Sequence, residues 1–159
     1  MADKKIFALF GPNLNLTGIR QPEFYGTITL QSIEDDILCL LKSKNIGFES
    51  FQSNHEGILI DTIHTLSKNA ENTVIIINPG ALAHYSYSLC DAISAVKIPF
   101  IELHFSNIFA RESFRQHSVI APYVKGMIAG FGIFGYKLAV YTAIQLLEQT
   151  EKIEAIISK

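Results

Sequence analysis

Short runs that are apolar at nearly every position alternate along this chain with longer stretches of helical period, and that alternation most limits what it can fold into. The short runs are "KIFALFG" (5–11), "GFESFQSN" (47–54), "TVIIIN" (73–78), "PFIELHFS" (99–106) and "VKGMIAGFG" (124–132). A strand apolar on both faces needs cover on both sides, which is the condition of a parallel sheet sandwiched between helices. Between the runs, Leu30, Ile33, Ile37 and Leu41 recur on one helical face. Leu89, Ile93 and Val96 do the same, as do Leu138, Tyr141, Ile144 and Leu147, and residues 56–69 read as a further helix.

The expected fold is therefore α/β: a doubly wound, five-stranded parallel sheet with helices on both faces, in one domain spanning 1–159. The flavodoxin-like strand order 2-1-3-4-5 is the natural one for that count, and such sheets bind ligands at the carboxyl ends of their strands. Those ends carry Gly11-Pro12-Asn13, Ser53-Asn54-His55, Asn78-Pro79-Gly80 and His104-Phe105-Ser106. Asparagine, histidine and serine thus recur where a crevice is expected.

A formal charge of -2 with no dense basic run argues against nucleic acid or an anionic membrane as partner, and no stretch nears the ~20 apolar residues of a membrane-spanning helix. Cys39 and Cys90 lack metal or redox spacing and read as reduced, buried thiols of a cytoplasmic protein. A chain of 159 residues that is 48% hydrophobic leaves apolar surface over, which points to a homo-oligomer.

The charged residues are placed unevenly. Ten lysines are spread mostly over helices and termini, whereas the three arginines, Arg20, Arg111 and Arg115, all follow the first and fourth strands. A guanidinium is the group that grips a carboxylate or phosphate with two hydrogen bonds. Arg20 shares a loop with Tyr25 between Gly18 and Gly26. Lowering a phenol from a pKa of about 10 to about 7 takes roughly 4 kcal/mol. A cation about 4 Å away supplies about that much at an effective dielectric near 20, so a phenolate base is within reach.

In the fourth strand Glu102, His104 and Ser106 share one face. The pair Glu102 and His104 has two readings: an oriented proton carrier, or a satisfied ion pair in a buried strand. "NPGALAHYS" (78–86) likewise offers backbone N–H groups around Gly80 with Asn78, His84 and Ser86, either as a cradle for an anion or hydroxyls or as an ordinary helix-capping loop.

Four motifs in order, "GPNLNLTGIRQPEFYG", "FQSNHEG", "INPGALAHYSYSLCDAI" and "IELHFSNIFARESFRQHS", followed by "GFGIFGYKLA", resemble the type II 3-dehydroquinate dehydratases over almost the whole chain. The resemblance implies a lyase of the shikimate pathway that turns 3-dehydroquinate into 3-dehydroshikimate by anti elimination through an enolate, with no metal and no organic cofactor. It implies Tyr25 as base, Arg20 as the cation beside it, His104 positioned by Glu102 as acid, and Asn13 as holder of a water on the enolate oxygen. Asn78, Gly80, His84, Phe105, Ser106 and Arg115 would bind substrate, and Arg111 belongs to a closing loop. Residues 18–26 would form a lid. Family assembly implies a dodecamer of trimers in which Asp91 reaches a neighbour's site.

The sequence departs from the family at Gln21, Ala83, Tyr85 and Cys90. A rival reading is a flavodoxin-like binding module for flavin or a phosphorylated ligand. A Schiff-base dehydratase would need a lysine at a strand's carboxyl end.

Overall fold

The computed structural model describes residues 4–19, 27–68 and 70–157, with side chains as far as 149. Arg20, Gln21 and Tyr25, and with them most of the expected lid, lie outside the described residues. Five strands, β1 (Lys5–Phe10), β2 (Gly47–Gln52), β3 (Thr73–Asn78), β4 (Phe100–His104) and β5 (Gly126–Ala129), form one parallel sheet in the order β2-β1-β3-β4-β5. Helices α1 (Leu30–Leu41), α2 (Glu56–Ser67), α3 (Tyr87–Ala95) and α4 (Phe134–Ile157) connect and cover it.

The strand alternation of side chains separates two cores. On one face Ile6, Ala8 and Phe10 meet Ile33 and Ile37 of α1 and Val140 and Ile144 of α4. On the other, Phe7, Leu9, Ile75 and Ile77 meet Leu59 and Ile63 of α2 and Leu89 and Ile93 of α3. Burying each such side chain contributes roughly 1.5–3 kcal/mol, which is ample to fix a register in which a one-residue slip would turn every strand inside out. Helix starts are set locally. Thr29 Oγ1 accepts from the Ser32 N–H at 3.2 Å ahead of α1, and Ser86 Oγ accepts from the Leu89 N–H at 3.0 Å ahead of α3.

Three expectations change. β2 is not covered on both faces: at the sheet edge its residues alternate between exposed and half-buried, with Glu49 and Phe51 outward. On α4 the buried stripe runs through Tyr136, Ala139, Val140, Ala143, Ile144 and Leu147, and Tyr141 is 54% exposed because it sits about 100° past Val140 around the helix. Cys39 is exposed, whereas Cys90 is buried as expected. Desolvation, with the Asp91 charge adding to it, raises the Cys90 thiol's pKa.

The sheet also positions the crevice. From β1 the chain steps one way to β2 and, from β3 onward, the other way, so the β1 and β3 ends flank the switch point. Phe10 is level with Gln52 and with Asn78, and the Gly11 N–H donates to the Asn78 carbonyl at 2.7 Å. The two loops then pack back to back. A Cβ on Gly11 would lie 2.4 Å from the Pro79 oxygen, and one on Gly80, at φ +58°, 3.1 Å from the Pro12 oxygen. Only glycines let Asn13 and Asn78 leave their strands side by side.

Candidate active site

A cleft of about 230 Å³ opens at these strand ends, lined by Asn13, Asn78, Gly80, His84, His104, Phe105, Ser106, Arg111 and Arg115. Nine of the expected site residues therefore converge. Glu102 sits beneath them, and Asp91, exposed on α3, does not line this chain's cleft. Arg20 and Tyr25 fall outside the described residues.

The first wall is the loop after β1. Asn13 adopts a left-handed conformation at φ 69°, a geometry asparagine tolerates better than other non-glycine residues. Its backbone N–H donates to Asn54 Oδ1 at 2.8 Å. Gln52 Nε2 donates to that same oxygen at 3.1 Å and to the Gly11 carbonyl at 3.2 Å. The end of β2 thus braces the turn that carries Asn13. The second wall is the loop after β3, where Asn78 Oδ1 accepts from the Gly80 N–H at 3.3 Å. His84 Nδ1 donates to the His117 carbonyl at 2.8 Å, which fixes the tautomer and leaves Nε2 as the acceptor nitrogen.

The floor is β4. The side-chain alternation expected there holds: Ile101, Leu103 and Phe105 join one core, and Glu102 and His104 face the other side. His104 Nε2 donates to Glu102 Oε1 at 2.6 Å, and the Glu102 carboxylate is 0% exposed. A buried carboxylate must have its oxygens satisfied, and Ser118 supplies what His104 does not. Its Oγ donates across both oxygens, at 2.8 Å to Oε1 and 3.0 Å to Oε2. The His84 and His104 rings are stacked 6.1 Å apart at 17°.

The third wall carries charge. Glu112 lies between the two arginines, its Oε2 3.4 Å from Arg111 Nε and 3.2 Å from Arg115 Nε. The second contact is an ion pair by distance only, since the Arg115 N–H is not aimed at the oxygen. The Arg115 guanidinium lies 4.8 Å over the Phe114 ring. A hydrogen bond from its own backbone and the two guanidinium charges hold Glu112 below the usual carboxylate range against partial desolvation.

Sequence reasoning gave no role to Ser118, Glu112 or Gln52, and it placed Asn54 at a strand end beside the crevice without assigning it a task. Glu112 had a usable signal, an acidic residue between two arginines that already stood out. Ser118 closes the motif that begins at Ile101, but nothing local ties it to Glu102, 16 positions earlier. Among the described residues no three His, Cys, Asp or Glu side chains are placed to hold a metal ion, no lysine lines the cleft, and no helix is long and apolar enough to cross a membrane.

Residues 4–144 match the family described as Dehydroquinase class II. The chain belongs to that family. The 3-dehydroquinate dehydratase of Bacillus cytotoxicus is 49% identical over 144 residues, 91% of this chain and 97% of the relative, and that of Bacillus subtilis is 51% identical over 132 residues, 83% and 88%. Among solved structures, the type II dehydroquinase of Butyrivibrio crossotus superposes with a TM-score of 0.84 at 43% identity, over 90% of this chain and 99% of that one. The expected sheet order and flavodoxin-like fold hold. The flavin or phosphate module is not favoured.

Proposed function

We propose that this cleft converts 3-dehydroquinate to 3-dehydroshikimate and water by anti elimination. The observation that carries the reading is the buried Glu102 with His104 bonded to it at 2.6 Å, opening into a cleft that Asn13, Asn78, His84 and two arginines line. The enzyme is a dehydratase, a carbon–oxygen lyase, as its family membership gives.

The chemistry divides between two faces of the substrate ring. Tyr25, as phenolate beside Arg20, removes the C2 proton next to the C3 ketone, and the C2–H electrons pass to the ketone oxygen as an enolate. A water held by Asn13 stabilises that oxygen, supplying from the protein's own polar groups what the reaction needs at its charged stage. The electrons then return, C3=O re-forms, the C1=C2 double bond forms and the C1–O bond breaks. His104 gives its proton to the departing hydroxyl, which leaves as water. Its Nδ1 carries no hydrogen bond among the described residues and is the nitrogen placed to do so.

Binding falls to the rest. His84 Nε2 accepts from a substrate hydroxyl, Asn78, the Gly80 turn and Ser106 with the Phe105 backbone take further oxygens, and Arg115, with Arg111 on the closing side, holds the carboxylate. Glu112 pre-aligns both guanidiniums so that less side-chain freedom is lost on binding. The lid over 18–26 would bring Arg20 and Tyr25 in together and exclude water.

Substrate carrying deuterium at the C2 position anti to the C1 hydroxyl tests this reading. Mass spectrometry is expected to find the label lost from the product. Product that keeps it would mean syn loss and would remove Tyr25 from its assigned face.

One domain, cytoplasmic placement and a homododecamer are part of the same proposal. Tyr85, Tyr87, Phe109 and Phe114, all more than half exposed near the cleft, support burial between copies, with Asp91 reaching across. A single-chain mass by light scattering would contradict it.

A further inference from the structure

We propose that Ser118 is a positioning residue for the acid: by donating across both Glu102 oxygens it fixes the carboxylate that in turn orients His104. The inference rests on the reading of His104 as acid, and it adds a residue to which neither the motifs nor the family resemblance gave a role.

The geometry is unusually closed. Among the described residues Glu102 has two hydrogen-bonding partners, His104 at 2.6 Å and Ser118 at 2.8 and 3.0 Å, and at 0% exposure it has no access to bulk water. Ser118 is itself buried, and its remaining capacity is used, since Oγ accepts from the Ala121 N–H at 3.2 Å. That bond sets the hydroxyl's position, so its proton is aimed at the carboxylate and nowhere else. The carboxylate is then held at two points rather than one, and it cannot rotate without breaking a bond.

The neighbouring residues make this a strap and not a chance contact. The His117 carbonyl accepts from His84 Nδ1 at 2.8 Å, and the Val119 N–H donates to the Ala83 carbonyl at 2.8 Å. Three consecutive residues therefore register both imidazoles of the cleft, His84 directly and His104 through Glu102.

An electrostatic consequence follows. A hydroxyl donated to a buried carboxylate favours its ionised form, most of all when the histidine is neutral and gives it no charge of its own. Without Ser118 the neutral-His104 state is the one that suffers most, so the pair keeps its protons to higher pH and His104 becomes a weaker acid. The other titratable or charged groups around it are His84, stacked 6.1 Å away, and Arg111 and Arg115 across the cleft. On the helices covering the same face lie Glu56, which accepts from Ser86, and Cys90 and Asp91.

The test is Ser118→Ala, read by the NMR titration of the His104 ring and by the pH profile of kcat. The expected result is a His104 titration and the alkaline limb of the profile, where the acid loses its proton, moved to higher pH by roughly one unit while the acid limb set by Tyr25 stays in place, with kcat down roughly tenfold and KM within about twofold. Ser118→Thr, which keeps the hydroxyl, is expected to return both readouts toward wild type. Should the alanine protein not fold, Ser118→Cys, nearly isosteric but a weak donor, is read in the same way. A role confined to capping the Ala121–Tyr123 turn would lower Tm and leave both readouts in place. Coinciding titrations with kcat within twofold of wild type overturn the proposal. The NMR readout needs no turnover, so an inactive wild type would count against the function while the positioning role is still judged.

Discussion

Tyr25→Phe is expected to lose about 10³-fold in kcat, the scale of a general base removed, while KM stays within a few-fold. Phenylalanine keeps the ring and therefore most of the contact area. It lacks the only atom that can take the C2 proton. The same reasoning makes Arg20→Ala nearly as severe: the phenol stays, but without the cation about 4 kcal/mol of support for its ionised form is gone, so little phenolate is present near neutral pH. Steady-state kinetics on both proteins checks the assignment, and normal turnover by Tyr25→Phe would show that another group is the base.

Glu102→Gln is the second large effect, at roughly 10³-fold in kcat. The glutamine is close in size, so the site keeps its shape, but it changes what the site asks of His104. A carboxylate only accepts, and it takes donors from both His104 Nε2 and Ser118 Oγ. An amide has one accepting end. Its NH₂ group either faces Ser118, leaving the hydroxyl to turn, or faces His104 and forces Nε2 to be the acceptor. In neither case is there a negative charge to hold an imidazolium in a site that is 0% exposed at this residue. The protein loses the acid and not the binding groups, so kcat falls and KM holds.

What could be read in advance follows from which interactions are local. β4 was legible because a strand's period is fixed: once 100–104 is a strand, Glu102 and His104 must share a face, and only their mutual distance waited for the structure. The strand order was legible because runs such as 73–78, buried at every position, admit few arrangements. That order already puts β2 at an edge, but the exposure it brings did not show in the residues: β2 carries Phe48 and Phe51 as a covered strand would, and it alternates between exposed and half-buried. Tyr141 was misplaced for a related reason: a helix with apolar residues on several sides has more than one plausible stripe, and the sheet selects one.

The site divides the same way. Arg111 and Arg115 stood out by their scarcity and position, and both line the cleft. Ser118, at the end of the 101–118 motif, and Asn54, just past β2, were in view, but their roles were not, since those arise from contacts across 16 and 41 residues. The glycines at 11 and 80 were visible as turn residues, but their function is a backbone approach so close that a Cβ would lie 2.4 Å and 3.1 Å from the facing carbonyl oxygens, which no local pattern encodes.

The most direct measurement is the near-ultraviolet absorbance of the conjugated enone on mixing the purified protein with 3-dehydroquinate and no added cofactor. The account predicts a rise to the product's spectrum, catalytic in protein and lost in Tyr25→Phe and Glu102→Gln. A flat trace from folded, concentrated protein would contradict it.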